Sequence, residues 1–287
     1  MSGLKRAILN TGLLTIALIA FSSPAFPKDT KMDPNDLVTR HLQSIGPQEK
    51  LAARKTCVSE GSGTLKMLTG GTGSLTGPAV FLSDGDKFRF NMTLNFTDYP
   101  AEQFAFDGVN AQIGYIQPGR RTRLGQFLYL YNGIIKEGLL GGVLSTAWPL
   151  TQLEKRNPKL QYRGLTKIEG KPLHELKYQM KKGDSALNIY LYFEPDTFRH
   201  VATIYRLVQP NQLAGRPEDS SSQRENRFEL YERFEDFREV EGLTLPFHWI
   251  IHFTSDAGTK TTITEWNLSF EKITINQPLD AKALAIQ

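Results

Sequence analysis

The feature that most narrows what this chain can fold into is a period of two. From Lys87 to Phe96, Phe88, Phe90, Met92, Leu94 and Phe96 share one side, and Lys87, Arg89, Asn91, Thr93 and Asn95 the other. Leu187, Ile189, Leu191 and Phe193 repeat the pattern against Asn188, Tyr190 and Tyr192. Phe247, Trp249, Ile251 and Phe253 do so against His248, Ile250 and His252. Side chains alternate across a pleated strand, so these are half-buried antiparallel strands with a polar outer face. Turn residues punctuate them at Asp84-Gly85-Asp86, Asp107-Gly108, Glu169-Gly170, Lys182-Gly183-Asp184, Glu241-Gly242 and Ala257-Gly258. The spacing predicts roughly twelve strands joined by short hairpins, a meander in place of a βαβ fold. Phe228, Tyr231, Phe234 and Phe237 recur every third residue and also fit a helix. A long strand, with or without a bulge, is the expectation, because the strand after Glu241-Gly242 needs a hairpin partner.

Three segments interrupt the meander. Asp33-Pro34 starts a helix, with Leu37, Val38, His41, Leu42 and Ile45 at helical spacing and Gly46 as its stop. A second short helical piece runs from Pro47 to Arg54. Residues 124–150 carry only Lys136 and Glu137 as charges, and Gly138, Gly141 and Gly142 break them into pieces. That composition suits a fixed apolar plug and a mobile lid alike. Residues 209–226 are polar, with Pro210, Gly215 and Pro217, and read as a mobile loop.

The N-terminus reads as an address. Lys5 and Arg6 precede an apolar run from Ala7 to Phe21, and Ser23-Pro24-Ala25 offers small residues for cleavage. The run is short for a bilayer core, so the expectation is a cleaved signal peptide over 1–25, extending at most to 27. A single domain over 28–287 follows, exported to the periplasm. The 287 residues hold 34 Lys and Arg against 30 Asp and Glu. Loss of Lys5 and Arg6 leaves an excess of only two, so the charge does not indicate a polyanion partner, and no nucleic acid is expected. The one cysteine, Cys57, excludes an internal disulfide framework and leaves no lipoprotein-type anchor after the apolar run.

No motif carries catalysis. His248 and His252 share a strand face but stand roughly 13 Å apart, too far to hold one ion. Gly71-Thr72-Gly73 lies between strands and lacks the following helix of a nucleotide fingerprint. Glu229, Glu232, Glu235, Asp236, Glu239 and Glu241, with Arg227, Arg233 and Arg238 between them, read as a solvated face. Neither a metal nor a cofactor is expected. Arg120, Arg121 and Arg123 form a compact basic cluster, either an exposed turn or a site for an anionic head group. What remains is a large apolar sheet face that must be covered by helices, by another sheet, by closure or by a ligand. An outer-membrane barrel is disfavoured by the apolar insertion, the N-terminal helices and the irregular strand lengths.

The export signal, the helix ending Ile45-Gly46 and the interrupted meander resemble the outer-membrane lipoprotein-sorting, LolA-like carrier family. So do the phrases Leu191-Tyr192-Phe193-Glu194-Pro195-Asp196-Thr197-Phe198, Phe234-Glu235-Asp236-Phe237 with Glu241-Gly242-Leu243-Thr244-Leu245-Pro246, and Ile273-Thr274-Ile275-Asn276. The resemblance implies a mainly β, α+β domain: one curved antiparallel sheet of 11–12 strands in an incomplete half β-barrel. It further implies closure by helices around an apolar cavity for acyl chains, and it transfers no ligand residue. The expected function is non-enzymatic binding and carriage of a lipid or a lipoprotein acyl chain, in peripheral contact with a membrane or none. Phe88, Phe90, Met92, Leu94, Trp249 and Trp266 would wall the cavity, and Leu139, Leu140 and Trp148 would form its lid or plug. Arg120, Arg121 and Arg123 would meet a head group. The alternative is an envelope scaffold or assembly protein with a self-filled core and a protein partner. An enzyme acting on an envelope lipid is a third reading.

Overall fold

The computed structural model describes residues 32–69, 73–209, 225–256 and 260–286. The signal segment and the polar stretch 210–224 lie outside the described residues. Residues Lys31–Gln287 form one compact unit that holds the whole described sheet and its core.

Two helices come first, α1 (Pro34–Ile45) and α2 (Gln48–Ala53). The Asp33 side chain caps α1 by accepting from the Asn35 N–H at 2.7 Å, and Leu37, Val38, His41 and Ile45 form its buried stripe. Five strands follow: β1 (Thr56–Met67), β2 (Gly73–Asp84), β3 (Lys87–Thr93), β4 (Ala101–Phe106) and β5 (Ala111–Ile113). The interruption contains α3 (Arg123–Leu130), α4 (Gly133–Glu137), two 3-10 turns at Gly142–Leu144 and Pro149–Gln152, and α5 (Leu153–Arg156). Seven strands complete the sheet: β6 (Lys159–Ile168), β7 (Lys171–Gln179), β8 (Leu187–Phe193), β9 (His200–Gln209), β10 (Asn226–Val240), β11 (Leu243–Asp256) and β12 (Thr261–Ile275).

All twelve form a single antiparallel sheet, curved and unclosed, in the order β5, β4, β3, β2, β1, β12, β11, β10, β9, β8, β7, β6. The two meanders join where β1 pairs with β12, Cys57 opposite Ile275 and Met67 opposite Thr264. β5 and β6 are consecutive in sequence yet occupy opposite edges. The insertion between them lies against the concave face, in the same buried core as the inward residues of the sheet.

Several local expectations change in detail. β3 ends at Thr93, so Phe96 leaves the alternation and is exposed in the turn before β4. Tyr192 faces outward as its parity requires, but it is buried in a small convex-face cluster with Leu173, Ala202 and Ile204. The three-residue period at 228–237 belongs to a strand. Phe228 and Phe234 point inward, and Tyr231 packs on the outer cluster. Asp236 has φ 54°, and the pairing with β11 runs through it unshifted, from Glu235 opposite His248 to Phe237 opposite Pro246. Phe237 is half-buried, with the Arg199 guanidinium 5.5 Å over its ring.

Candidate functional site

The concave face is paved with large apolar side chains. Phe88, Phe90, Met92, Leu94, Trp249 and Trp266 are each 3% exposed or less, as are Leu139, Leu140 and Trp148 of the insertion. All nine belong to one buried cluster. The Trp249 ring meets Phe81 at 5.4 Å, Phe90 at 5.5 Å and Phe234 at 6.3 Å. The insertion backbone lies directly on this floor. Gly141 and Gly142 both have positive φ, and a Cβ at Gly141 would stand 2.8 Å from Cζ of Phe81. At Gly142 it would stand 3.0 Å from Nδ1 of His200 and from Cζ of Phe234. The concavity is thus filled by the chain's own residues 124–150.

Buried polar groups fasten that filling, and they escaped the reading of the sequence. Glu232, grouped above with a solvated face, is wholly buried. Its parity within β10 matches Leu230 and Phe234, which turns it inward. Its carboxylate accepts from the Gly141 N–H at 2.8 Å and from the Tyr205 hydroxyl at 2.7 Å. Burial pushes its pKa up to about 7, against the pull of those donors. Glu102, in phase with Phe104 on β4, is the second case. It accepts from the Thr122 hydroxyl at 2.9 Å and from the Tyr99 hydroxyl, and burial likewise pushes it up to about 7. Thr122 in turn caps α3 by accepting from the Gly125 N–H at 2.7 Å.

Arg54 donates to the Val143 carbonyl at 2.8 Å and to the Ser145 carbonyl at 3.0 Å. The Thr146 N–H donates to the Ser83 hydroxyl at 3.0 Å, and the Trp148 indole N–H to Nε2 of His41 at 3.1 Å. That bond assigns the proton of a neutral His41 to Nδ1, 3.2 Å from the Phe198 carbonyl. Burial lowers the His41 pKa to about 4. The ring of His200 lies 4.7 Å from that of Trp148 and 6.0 Å from that of His41; burial lowers its pKa as well.

A cleft of about 720 Å³ opens where α1, α2 and the end of the insertion meet. Leu42, Leu51 and Ala52 supply apolar wall, Arg54 and Asp84 charge, and Thr146 and Gln152 line the side of the insertion. The volume is within the usual range for small-molecule sites, about 300–1,000 Å³. None of the nine core residues named above lines it. The three arginines have separate partners. Arg121 is sandwiched between the rings of Tyr115 and Tyr129, at 4.0 and 4.1 Å. Arg123 donates to the Thr262 hydroxyl at 3.1 Å, and Arg120 closes a backbone turn with Gln117. Among the described residues no group of His, Cys, Asp and Glu is arranged to hold a metal, and no helix is long and apolar enough to cross a membrane.

No protein-family model matches the sequence, and no curated protein matches it. In fold the chain is similar to a LolA superfamily protein from Nitrosomonas europaea, with TM-score 0.47 and 11% identity over 89% of this chain and 98% of that one. A DUF1329 family protein from Desulfovibrio piger aligns at TM-score 0.42 and 9% identity over 88% of this chain and 100% of that one. An outer membrane lipoprotein-sorting protein domain from Vibrio parahaemolyticus aligns at TM-score 0.42 and 8% identity, over 86% and 97%. At these identities the likeness is one of fold.

Proposed function

We propose that this is a non-enzymatic, periplasmic binding protein for a hydrophobic ligand, a lipid or an acyl chain, with its ligand seat at the cleft beside α1 and α2. The observation that carries this reading is the cleft itself. It has an apolar wall at Leu42, Leu51 and Ala52, a ligand-sized volume, and a direct border on the end of the insertion. A ligand seated there touches Thr146 and Gln152, next to the residues that fill the concavity. A chain longer than the cleft would gain the apolar floor at Phe88, Phe90, Met92, Leu94, Trp249 and Trp266 once Leu139, Leu140 and Trp148 moved aside. Export is part of the proposal and rests on residues 1–25 alone.

The test is displacement of a fluorescent fatty acid, together with native mass spectrometry of protein purified from the periplasm. Leu51→Asp is expected to weaken displacement at least about tenfold, because it places a charge in the apolar wall. Glu265→Gln on the outer face is expected to leave it unchanged. Absence of saturable displacement, or an equal effect of both variants, would overturn the reading.

The close fit of Gly141 and Gly142 on Phe81, His200 and Phe234 favours a second reading: a scaffold with a self-filled core that meets a protein partner. A protein recovered without lipid, but with a stoichiometric envelope partner, would select it.

A further inference from the structure

The end of the sheet away from the cleft has an unusual surface. Met67 and Leu68 close β1, Phe96 tops the turn between β3 and β4, and Tyr115 follows β5. Tyr129 and Leu130 lie on the outer side of α3. All six are exposed, Phe96 at 46% and Leu130 at 60%. At the opposite end of the sheet Val109, in the turn between β4 and β5, and Leu165 of β6 are exposed singly.

Contacts run from one of these segments to the next. The Leu68 N–H donates to the Ile263 carbonyl at 2.9 Å, and the neighbouring Thr262 accepts from Arg123 of α3. The turn carrying Phe96 holds Tyr99, whose hydroxyl meets Glu102, and Glu102 binds Thr122 at the start of α3. Arg121 ties Tyr115 to Tyr129 by lying between their rings. The phenylalanine on the inner side of α3, Phe127, packs on Phe253 at 5.2 Å and Phe228 at 6.2 Å. The helix is therefore held across the end of the sheet, with Tyr129 and Leu130 exposed on its other side.

The charges around these side chains lean basic. Lys66, Arg120, Arg121, Arg123 and Lys260 stand among Asp98, Asp256 and Glu265. Among the described residues none of the three arginines has a carboxylate within ion-pair distance. Exposed aromatic and aliphatic side chains with guanidinium groups that lack a carboxylate partner between them are what a lipid–water interface accommodates. Tyrosine sits at the head-group level, aliphatic side chains reach the acyl boundary, and arginine meets lipid phosphate. Basic side chains outnumber acidic ones five to three at this end, which favours an anionic surface over a neutral one.

We propose that this end of the molecule docks on an anionic phospholipid bilayer, with Phe96, Tyr129 and Leu130 entering the interface and Arg120, Arg121 and Arg123 meeting phosphate groups. The docking does not involve the cleft and uses the outward side chains of α3, not those that fill the concavity, so it stands or falls apart from the ligand reading. The test is co-sedimentation of the compact unit Lys31–Gln287, whose sheet and core are complete without the first 30 residues, with phospholipid vesicles. Binding is expected with phosphatidylcholine vesicles containing phosphatidylglycerol, and only weakly with phosphatidylcholine alone. The variant combining Phe96→Asp with Leu130→Asp is expected to lose at least about tenfold in affinity. Arg120→Gln with Arg123→Gln is expected to lose roughly tenfold or more, and high salt to mimic it. Val109→Asp at the opposite end serves as the control. All these side chains are exposed, so unchanged melting temperatures will show that the variants are folded. No binding by the parent chain, equal binding to both vesicle types, or equal loss in Val109→Asp would overturn the proposal.

Discussion

At the scale of single residues, the molecule depends on places where the insertion has no side chain. Gly141 turns with φ +79° above the Phe81 ring, and Gly142 with φ +51° above His200 and Phe234. Gly141→Ala must both hold a left-handed backbone and push on an aromatic ring that is itself wedged against Trp249. The expected loss is about 1–3 kcal/mol in denaturant-induced unfolding. Gly85→Ala, at φ +57° with open space around its Cβ, carries the backbone cost alone and should lose less. Equal losses would mean that the close fit over Phe81 contributes nothing.

At the scale of elements, the insertion from α3 to α5 is held by donors and acceptors spread over distant strands. Arg54, just before β1, satisfies two of its carbonyls, and both lie where water does not reach easily. Arg54→Met would leave those carbonyls without their partner. The expected outcome is local: amide hydrogen exchange over 142–148 accelerates roughly tenfold to a hundredfold, while β7 to β9 keep their protection. Uniform acceleration across the sheet would show that the insertion and sheet open together. Sequence alternation identified the strands that build the floor, because a two-residue period marks a half-buried strand whatever lies above it. It could not show that the insertion fills the concavity, since plug and lid share one composition. The fastening groups were hidden for another reason. Glu232 and Glu102 are carboxylates, which read as solvated by type, although each stands in phase with inward phenylalanines. Position in the alternation was the available signal, and residue type masked it. The period of three at 228–237 similarly came from aromatic residues on both faces of one strand, Phe228 and Phe234 inward and Tyr231 outward.

At the scale of the whole molecule, buried and half-buried carboxyls and imidazoles make stability depend on pH in opposing directions. Glu102 and Glu232 are each raised from 4.5 to about 7. Between those values the folded chain keeps protons that the unfolded chain has released. Their contribution is complete below pH 4.5 and is lost as the pH rises through 7. His41 is lowered from 6.5 to about 4, so its contribution is complete above pH 6.5 and is lost as the pH falls through 4. His200 is lowered in the same direction. Each shift with a value corresponds to about 3 kcal/mol. The windows overlap between pH 4.5 and 6.5, where the raised carboxyls of Glu102, Glu232 and Glu137 oppose the lowered imidazoles of His41, His200 and His174, so the melting temperature of the parent chain should change little there. Glu232→Gln removes one carboxyl from this balance and keeps an amide able to accept from Gly141 and donate to Tyr205. Its melting temperature should climb with pH through the same window and exceed the parent's above pH 7, where the parent has a charge buried at that position. A profile parallel to that of the parent would mean that the Glu232 carboxylate titrates as an exposed one does.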